Sequence, residues 1–383
     1  MTRLILLVLL VAVLPAWAEE PLPKFELTPT APYRAQRSDP VNYDVDYRVT
    51  ITAPSGTKQL KVWVPIPQDD LGQKVEAGEF SVFPAEVKPT FHSEKVFGNR
   101  FAYFEFDAPQ GAQIISHRFK ATVWELRWDV DPKQVTKVEK WPASFEPYRR
   151  TEKAVIVDPR FTKLANEIAA GRKGTISELD AVMDWVQDNM TYDHSNTSLI
   201  ASSEHALSKK RGDCSDYHGL CSSLGRALGV PTRVTYGLHL FPKNLPCHCK
   251  LEAFLPPYGW VSFDVSETQR LVQAIRADRK LDEETTTKLV KAAIERLRHG
   301  FRDNTWLLQT KGTDFELVPP ASQKVPLIAS IYAEADGKPL PFPDPADPTK
   351  REFSWMTSHK YQADRAVKYP FRNWDSLIIT EKK

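Results

Sequence analysis

No stretch of the 383-residue chain is apolar for long enough to cross a bilayer as a helix. The run Leu4 to Leu14 stops after eleven residues, and nothing later approaches it. Net charge is equally scarce, with 51 Lys and Arg against 49 Asp and Glu. No bulk field therefore draws in nucleic acid or an anionic membrane, and neither is expected as a partner. Four cysteines are too few for a disulfide scaffold in a chain of this size. No acidic loop with the calcium-binding pattern occurs, so no calcium, other metal or cofactor is expected. No internal repeat is visible.

What is present begins with Arg3, the apolar run and Ala16-Trp17-Ala18. This reads as a secretory signal peptide over 1–18, cleaved after Ala18, and places the mature protein in the periplasm, which is favoured, or outside the cell. No cysteine stands at the cleavage point, so no lipid anchor is expected.

Three changes of pattern divide the rest. Residues 19–40 are proline-rich and aperiodic, and read as an arm. From Val41 strict alternation sets in (Tyr43, Val45, Tyr47, Val49, Ile51), and strand-like runs recur at Lys61 to Pro67, Phe101 to Phe106 and Gln113 to Leu126. Short strands separated by turn residues predict a β-sandwich over 41–135. Helical spacing then takes over within a core at 148–275. Thr175 with Glu178 reads as a capping box, Ser203 as the cap of a short helix, and Leu220, Leu224 and Leu228 as one face of a helix that Gly229 and Pro231 stop. Strands follow at Thr232 to Phe241, Cys247 to Leu255 and Trp260 to Phe263. A connecting helix spans 280–300 and a β-rich region 301–383, which either completes the middle sheet or stands alone. The fold class is α+β.

Cys214 carries the chemistry. It falls in the first turn of the leucine-spaced helix, where unpaired N–H groups and the helix dipole favour a thiolate. A thiol nucleophile also needs a base and a group to orient it. His218 lies one turn further along the same helix with nothing evident to orient it. His248 opens a strand whose turn at Pro256 to Gly259 leads into a second strand ending at Asp264, and antiparallel pairing sets Asp264 beside His248. Alternation puts His248 and Lys250 on one face and Cys247 and Cys249 on the other, so those cysteines read as core fillers or disulfide partners. Cys221 reads as a small buried apolar residue. With Cys214 reduced, one pair and one free thiol is the simplest outcome. A metal held by Cys247, His248 and Cys249 is disfavoured, since three consecutive strand residues do not face one tetrahedral ion.

Four ordered segments, Gly212-Asp213-Cys214, Arg226-Ala227-Leu228-Gly229-Val230-Pro231-Thr232-Arg233, His248 to Glu252 and Gly259-Trp260 to Asp264, resemble the transglutaminase-like superfamily of papain-type cysteine enzymes. The resemblance covers roughly 154–268. It implies a papain-like core of helices packed on an antiparallel sheet, with Cys214 as nucleophile, His248 as base and then acid, and Asp264 as orienter. The reaction it implies is amide-bond attack on a peptide or protein through an acyl-thioester, by a peptidase, amidase or transglutaminase. The Cys214 N–H then supplies one oxyanion donor, and Tyr192 or Trp185 stands as the second. Lys250, where the family often has an aromatic residue, and Cys249 depart from the pattern and bear on substrate preference. The competing expectation is a catalytically silent binding or scaffold module on the same fold.

Overall fold

The structure, a computed structural model, describes residues 25–241, 247–344 and 353–378. The signal-peptide segment and the start of the expected arm lie outside the described residues. Strand β1 (Gln36–Thr52) carries the alternation: Val41, Tyr43, Val45, Tyr47, Val49 and Ile51 are buried between outward-facing neighbours. It begins at Gln36, inside the stretch read as an arm, because a register shift between Ser38 and Val41 interrupts the period across Asp39 and Pro40. β2 (Gln59–Ile66), β3 (Gln73–Val75), β4 (Glu79–Phe83), β5 (Thr90–Ser93), β6 (Arg100–Asp107) and β7 (Ala112–Arg127) follow.

β7 pairs antiparallel with β1 and also receives β3 and β4, while β2, β6 and β5 form a second sheet. The two sheets share one core, in which the inward side chains of β1 meet Leu60, Val62, Val64, Phe104 and Phe106. Each such side chain contributes roughly 1.5–3 kcal/mol on leaving water. The irregular segment 25–35 is pinned to the second half of the molecule. Trp260 Nε1 donates to the Pro29 carbonyl at 2.9 Å, and the Tyr33 hydroxyl donates to Glu252 Oε1 at 2.7 Å.

The middle of the chain runs through α1 (Pro159–Ile168), α2 (Thr175–Asn189), β8 (Thr191–Tyr192), α3 (Ser203–Lys209), β9 (Arg211–Gly212), α4 (Cys214–Ala227), β10 (Thr232–His239), β11 (Cys247–Leu255), β12 (Gly259–Phe263), α5 (Val265–Ala277) and α6 (Glu283–Arg298). Cys214 to Arg226 of α4 are all buried, with β10 and β11 on one side and α1, α2, α3 and α5 around the others. Gly219 allows this crowding: a Cβ there would lie 2.1 Å from the Ala201 carbonyl oxygen. Two expected caps differ. Gly174, with φ +93°, precedes α2 without any side-chain cap, so Thr175 is the first helical residue and no capping box forms. Ser202 rather than Ser203 caps α3, accepting from His205 N at 3.2 Å.

β13 (Phe301–Arg302), β14 (Trp306–Lys311), β15 (Tyr332–Ala335), β16 (Lys338–Pro339) and β17 (Trp355–Ala363) do not stand apart. β14 is the fourth strand of the antiparallel sheet β12-β11-β10-β14, β13 joins β7, β15 joins β2, and β17 joins β1. The fold is α+β, a sandwich followed by helices packed on an antiparallel sheet, with the last third of the chain shared among all three large sheets. Among the described residues no helix is long and apolar enough to cross a membrane.

Candidate active site

Cys214 is the first residue of α4. The preceding Asp213 caps the helix, its Oδ1 accepting from Ser215 N at 2.8 Å and from Ser215 Oγ at 2.7 Å. The approach is fixed by a short parallel pair, Thr191 with Arg211 and Tyr192 with Gly212, which stands Tyr192 beside the thiol. Buried Asp216, one turn into the helix, holds the 197–198 loop through Thr197 Oγ1 at 2.9 Å and Ser198 N at 3.0 Å.

His248 and Asp264 arrive from the sheet. β11 and β12 pair with Leu251 opposite Phe263, so the residue after β12 reaches the start of β11. Asp264 also caps α5, its Oδ1 accepting from Glu267 N at 3.0 Å. Its Oδ2 lies 2.7 Å from His248 Nε2. With Nε2 so engaged, Nδ1 is the ring nitrogen left to serve the Cys214 thiol, which is near enough for each group to shift the other's charge. The structure thus brings Cys214, His248 and Asp264 together, all of them held by secondary structure.

The charges follow from the contacts. Burial works against the Asp264 carboxylate, but His248 and Lys250 outweigh it and hold the group well below the usual range. Burial also opposes the His248 imidazolium, yet Asp264 and Cys214 together raise it to about 9. The neighbouring Cys249 thiol lowers the Cys214 thiol most; burial and Asp213 oppose it, His248 adds to it, and the result is about 6. At neutral pH the pair is therefore thiolate and imidazolium.

The thiol opens on a pocket of about 170 Å³ with Tyr192, Tyr236, Phe342 and Trp355 among its walls. Phe342 and Trp355 come from the C-terminal region, so that region builds part of the site. Of the two side chains expected as a second oxyanion donor, Tyr192 lines this pocket. Trp185 does not; its ring lies under the Lys210 ammonium at 4.0 Å.

Residues 162–265 match the model of the transglutaminase-like superfamily. The middle of this chain is a transglutaminase-like core. An uncharacterised protein of Haemophilus influenzae is 20% identical over 341 residues, covering 80% of this chain and 89% of that one. The crystal structure of a candidate cysteine protease from Cytophaga hutchinsonii superposes with TM-score 0.60 at 15% identity, over 88% of this chain and 95% of that one. Both likenesses extend well beyond the transglutaminase-like core.

Within that core, four expectations change. All four cysteines are free thiols, so no pair forms. Cys249 is more than a core filler: it is fully buried in one cluster with Cys214, and its sulfur lies 3.4 Å from His218 Nδ1. His218, read as having nothing to orient it, is fully buried with both ring nitrogens engaged, at Val265 N (3.1 Å) and Cys249 Sγ (3.4 Å). Burial lowers it to about 3, so it is neutral and no base. Lys250 is not among the described residues that line the pocket. It is buried and donates to Asp264 Oδ2 at 2.7 Å. The signal for Lys250 was present in the alternation, which put it on the His248 face. For Cys249 the alternation gave a face but not what covers it.

Sequence reasoning also missed His194, whose Nδ1 lies 3.4 Å from Asp213 Oδ2 at the pocket wall. No periodic signal marks a residue in so short an irregular segment. His239, His248 and Glu267 set three donor atoms within 4.8 Å of one another, the arrangement a metal needs. His248 Nε2 is already bonded to Asp264, so a metal there would compete with the Cys-His-Asp series.

Proposed function

We propose that the protein is an exported cysteine-dependent enzyme that attacks amide bonds of a peptide or protein, with Cys214, His248 and Asp264 as its triad. The observation that carries this reading is an imidazole hydrogen-bonded to a carboxylate and set beside a thiol at a helix N-terminus, with the thiol lowered and the imidazole raised. The export part rests on the leader of the sequence alone.

The chemistry balances with these groups. The Cys214 thiolate adds to the carbonyl carbon, and the π electrons move to oxygen. The Cys214 N–H, which as the first of the helix has no intrahelical acceptor, and the Tyr192 hydroxyl are the donors for that oxyanion. Collapse expels the amine, which takes the Nδ1 proton of His248, leaving an acyl-thioester and a neutral ring. Water then loses a proton to Nδ1 as it attacks, and the second collapse restores thiolate and imidazolium. An amine in place of water yields a new amide by the same steps. Asp264 holds the ring throughout. Lys and Arg are missing from the pocket lining among the described residues, and its aromatic walls suit an uncharged acyl side chain.

Alkylation of Cys214 by iodoacetamide, followed by mass spectrometry from pH 4 to 9, tests the reading. The expected profile rises through about pH 6, and at pH 6 the rate exceeds that of an ordinary thiol by about tenfold or more. His248→Ala should remove most of that excess. A wild-type profile that rises only near pH 8 to 9 would favour a silent scaffold. With a labelled amine and a protein mixture, labelled products select transfer and shortened peptides alone select hydrolysis.

A further inference from the structure

His218 is fully buried beneath the triad, yet it takes no part in the steps above. Its protonation is fixed by a neighbour with no choice of role. The Val265 N–H can only donate, and it points at Nε2 from 3.1 Å. Nε2 is therefore bare, and in the neutral ring the proton sits on Nδ1. Asp264 Oδ1 lies 3.7 Å from Nε2, outside hydrogen-bond range, and offers no proton. Nδ1–H then faces Cys249 Sγ at 3.4 Å, so the sulfur accepts.

A thiol has a single proton to place. Cys249 lies opposite Tyr236 on β10 and is completely buried in a cluster with Cys214, Val234, Tyr236 and Leu327. With its acceptor side occupied by His218, its proton is left for another member of that cluster, in which Cys214 is the other buried cysteine.

We propose that Cys249 is a positioning residue for the nucleophile, its S–H donating to the Cys214 thiolate from the face opposite His248, with His218 fixing the direction of that bond. The proposal rests on Cys214 being the nucleophile. The thiolate then lies between two donors, one ionic and one neutral. Burial and the neighbouring anion hold the Cys249 thiol well above its ordinary range, so it keeps its proton while Cys214 gives one up. The other groups facing Cys214 do not replace this contact. Asp213 opposes the thiolate, His194 is paired with Asp213, the Cys247 sulfur is engaged with Ser330 Oγ at 3.1 Å, and Tyr192 and Tyr236 line the pocket where the proposed oxyanion forms.

The test follows Cys214 alkylation against pH in the full chain, with Cys249→Ala and Cys249→Ser beside wild type. Wild type should show an inflection near 6. Cys249→Ala should move it up by about one unit, roughly a tenfold loss of rate at pH 6. Cys249→Ser keeps a donor and should recover most of that loss, which a purely space-filling role would not require. An unchanged inflection in Cys249→Ala overturns the proposal, whereas a wild-type inflection near 8 to 9 overturns the triad reading itself. Should the alanine variant not fold, infrared spectra of unmodified protein decide the matter. A thiol S–H band should shift to lower frequency as Cys214 ionises and should stay fixed in Cys214→Ser; a wild-type band that does not move overturns the hydrogen bond.

Discussion

A single carboxylate oxygen, Asp264 Oδ2, accepts from both the His248 imidazole and the Lys250 ammonium, each at 2.7 Å. Lys250 is also 3.5 Å from Asp303 Oδ2, and with Asp264 and Asp303 beside it the ammonium is held above the ordinary lysine range against burial. It is a permanent cation beside Asp264. It keeps Asp264 ionised, and it competes with the imidazolium for the same oxygen. Lys250→Met therefore removes a like charge from beside His248 and leaves Asp264 to it alone. The His248 titration, followed by NMR of its ring C–H, should move upward from about 9, extending the window in which imidazolium and thiolate coexist. Unfolding should become easier by about 3–5 kcal/mol in urea, since a buried ion loses its partner. A His248 titration that moves down would mean that Lys250 acts mainly by holding Asp264 in place.

The start of α4 sets two opposing influences on the thiol. The helix dipole and exposed N–H groups favour the thiolate, while the buried cap carboxylate of Asp213 disfavours it. Asp213→Asn separates them, because asparagine caps about as well as aspartate but carries no charge. The Cys214 alkylation profile should rise below pH 6, with thermal stability nearly unchanged. A shift to higher pH would mean that Asp213 acts mainly by keeping His194 charged near the thiol, since that carboxylate is what raises the imidazole. This element was legible in the sequence for a local reason. A leucine spacing of four and a glycine-proline stop both act within one or two turns. The strands of the middle sheet were legible in the same way, and with them the approach of Asp264 to His248 across one short hairpin. What escaped was non-local. Alternation says that Cys249 faces away from His248, but only the packing of α4 says that this face holds the nucleophile. The alternation around β1 hid its first residues behind a bulge. Nothing in β13, β14, β15 or β17 distinguishes one sheet from another, since a half-buried strand has the same pattern whichever partner it finds.

That sharing of strands ties the whole molecule into one unit, and Arg302 is where the tie is most exposed to test. Its guanidinium is fully buried and reaches Asp70 Oδ2 at 2.9 Å, Asp70 Oδ1 at 3.2 Å and Gln73 Oε1 at 2.9 Å. It thereby joins the first strand of the C-terminal region to the β3 segment of the sandwich. The next residue, Asp303, meets Lys250 beside Asp264, and β14 then completes the sheet that carries His248. Arg302→Met keeps the length and apolar stem but leaves the Asp70 and Gln73 oxygens without the donor, at a cost of about 3–5 kcal/mol. If the sandwich and the core stand or fall together, the loss must appear in both. Cys221, buried in α4 far along the chain from Arg302, reports on the core through its protection from thiol reagents in urea. Tryptophan fluorescence, with Trp63 in the sandwich and Trp260 in the core, reports on the rest. The two midpoints should coincide in wild type and move down together in Arg302→Met. A variant that loses the fluorescence transition early while Cys221 stays protected would show two modules that unfold separately. The C-terminal strands would then be attachments to a self-sufficient core rather than part of what holds it.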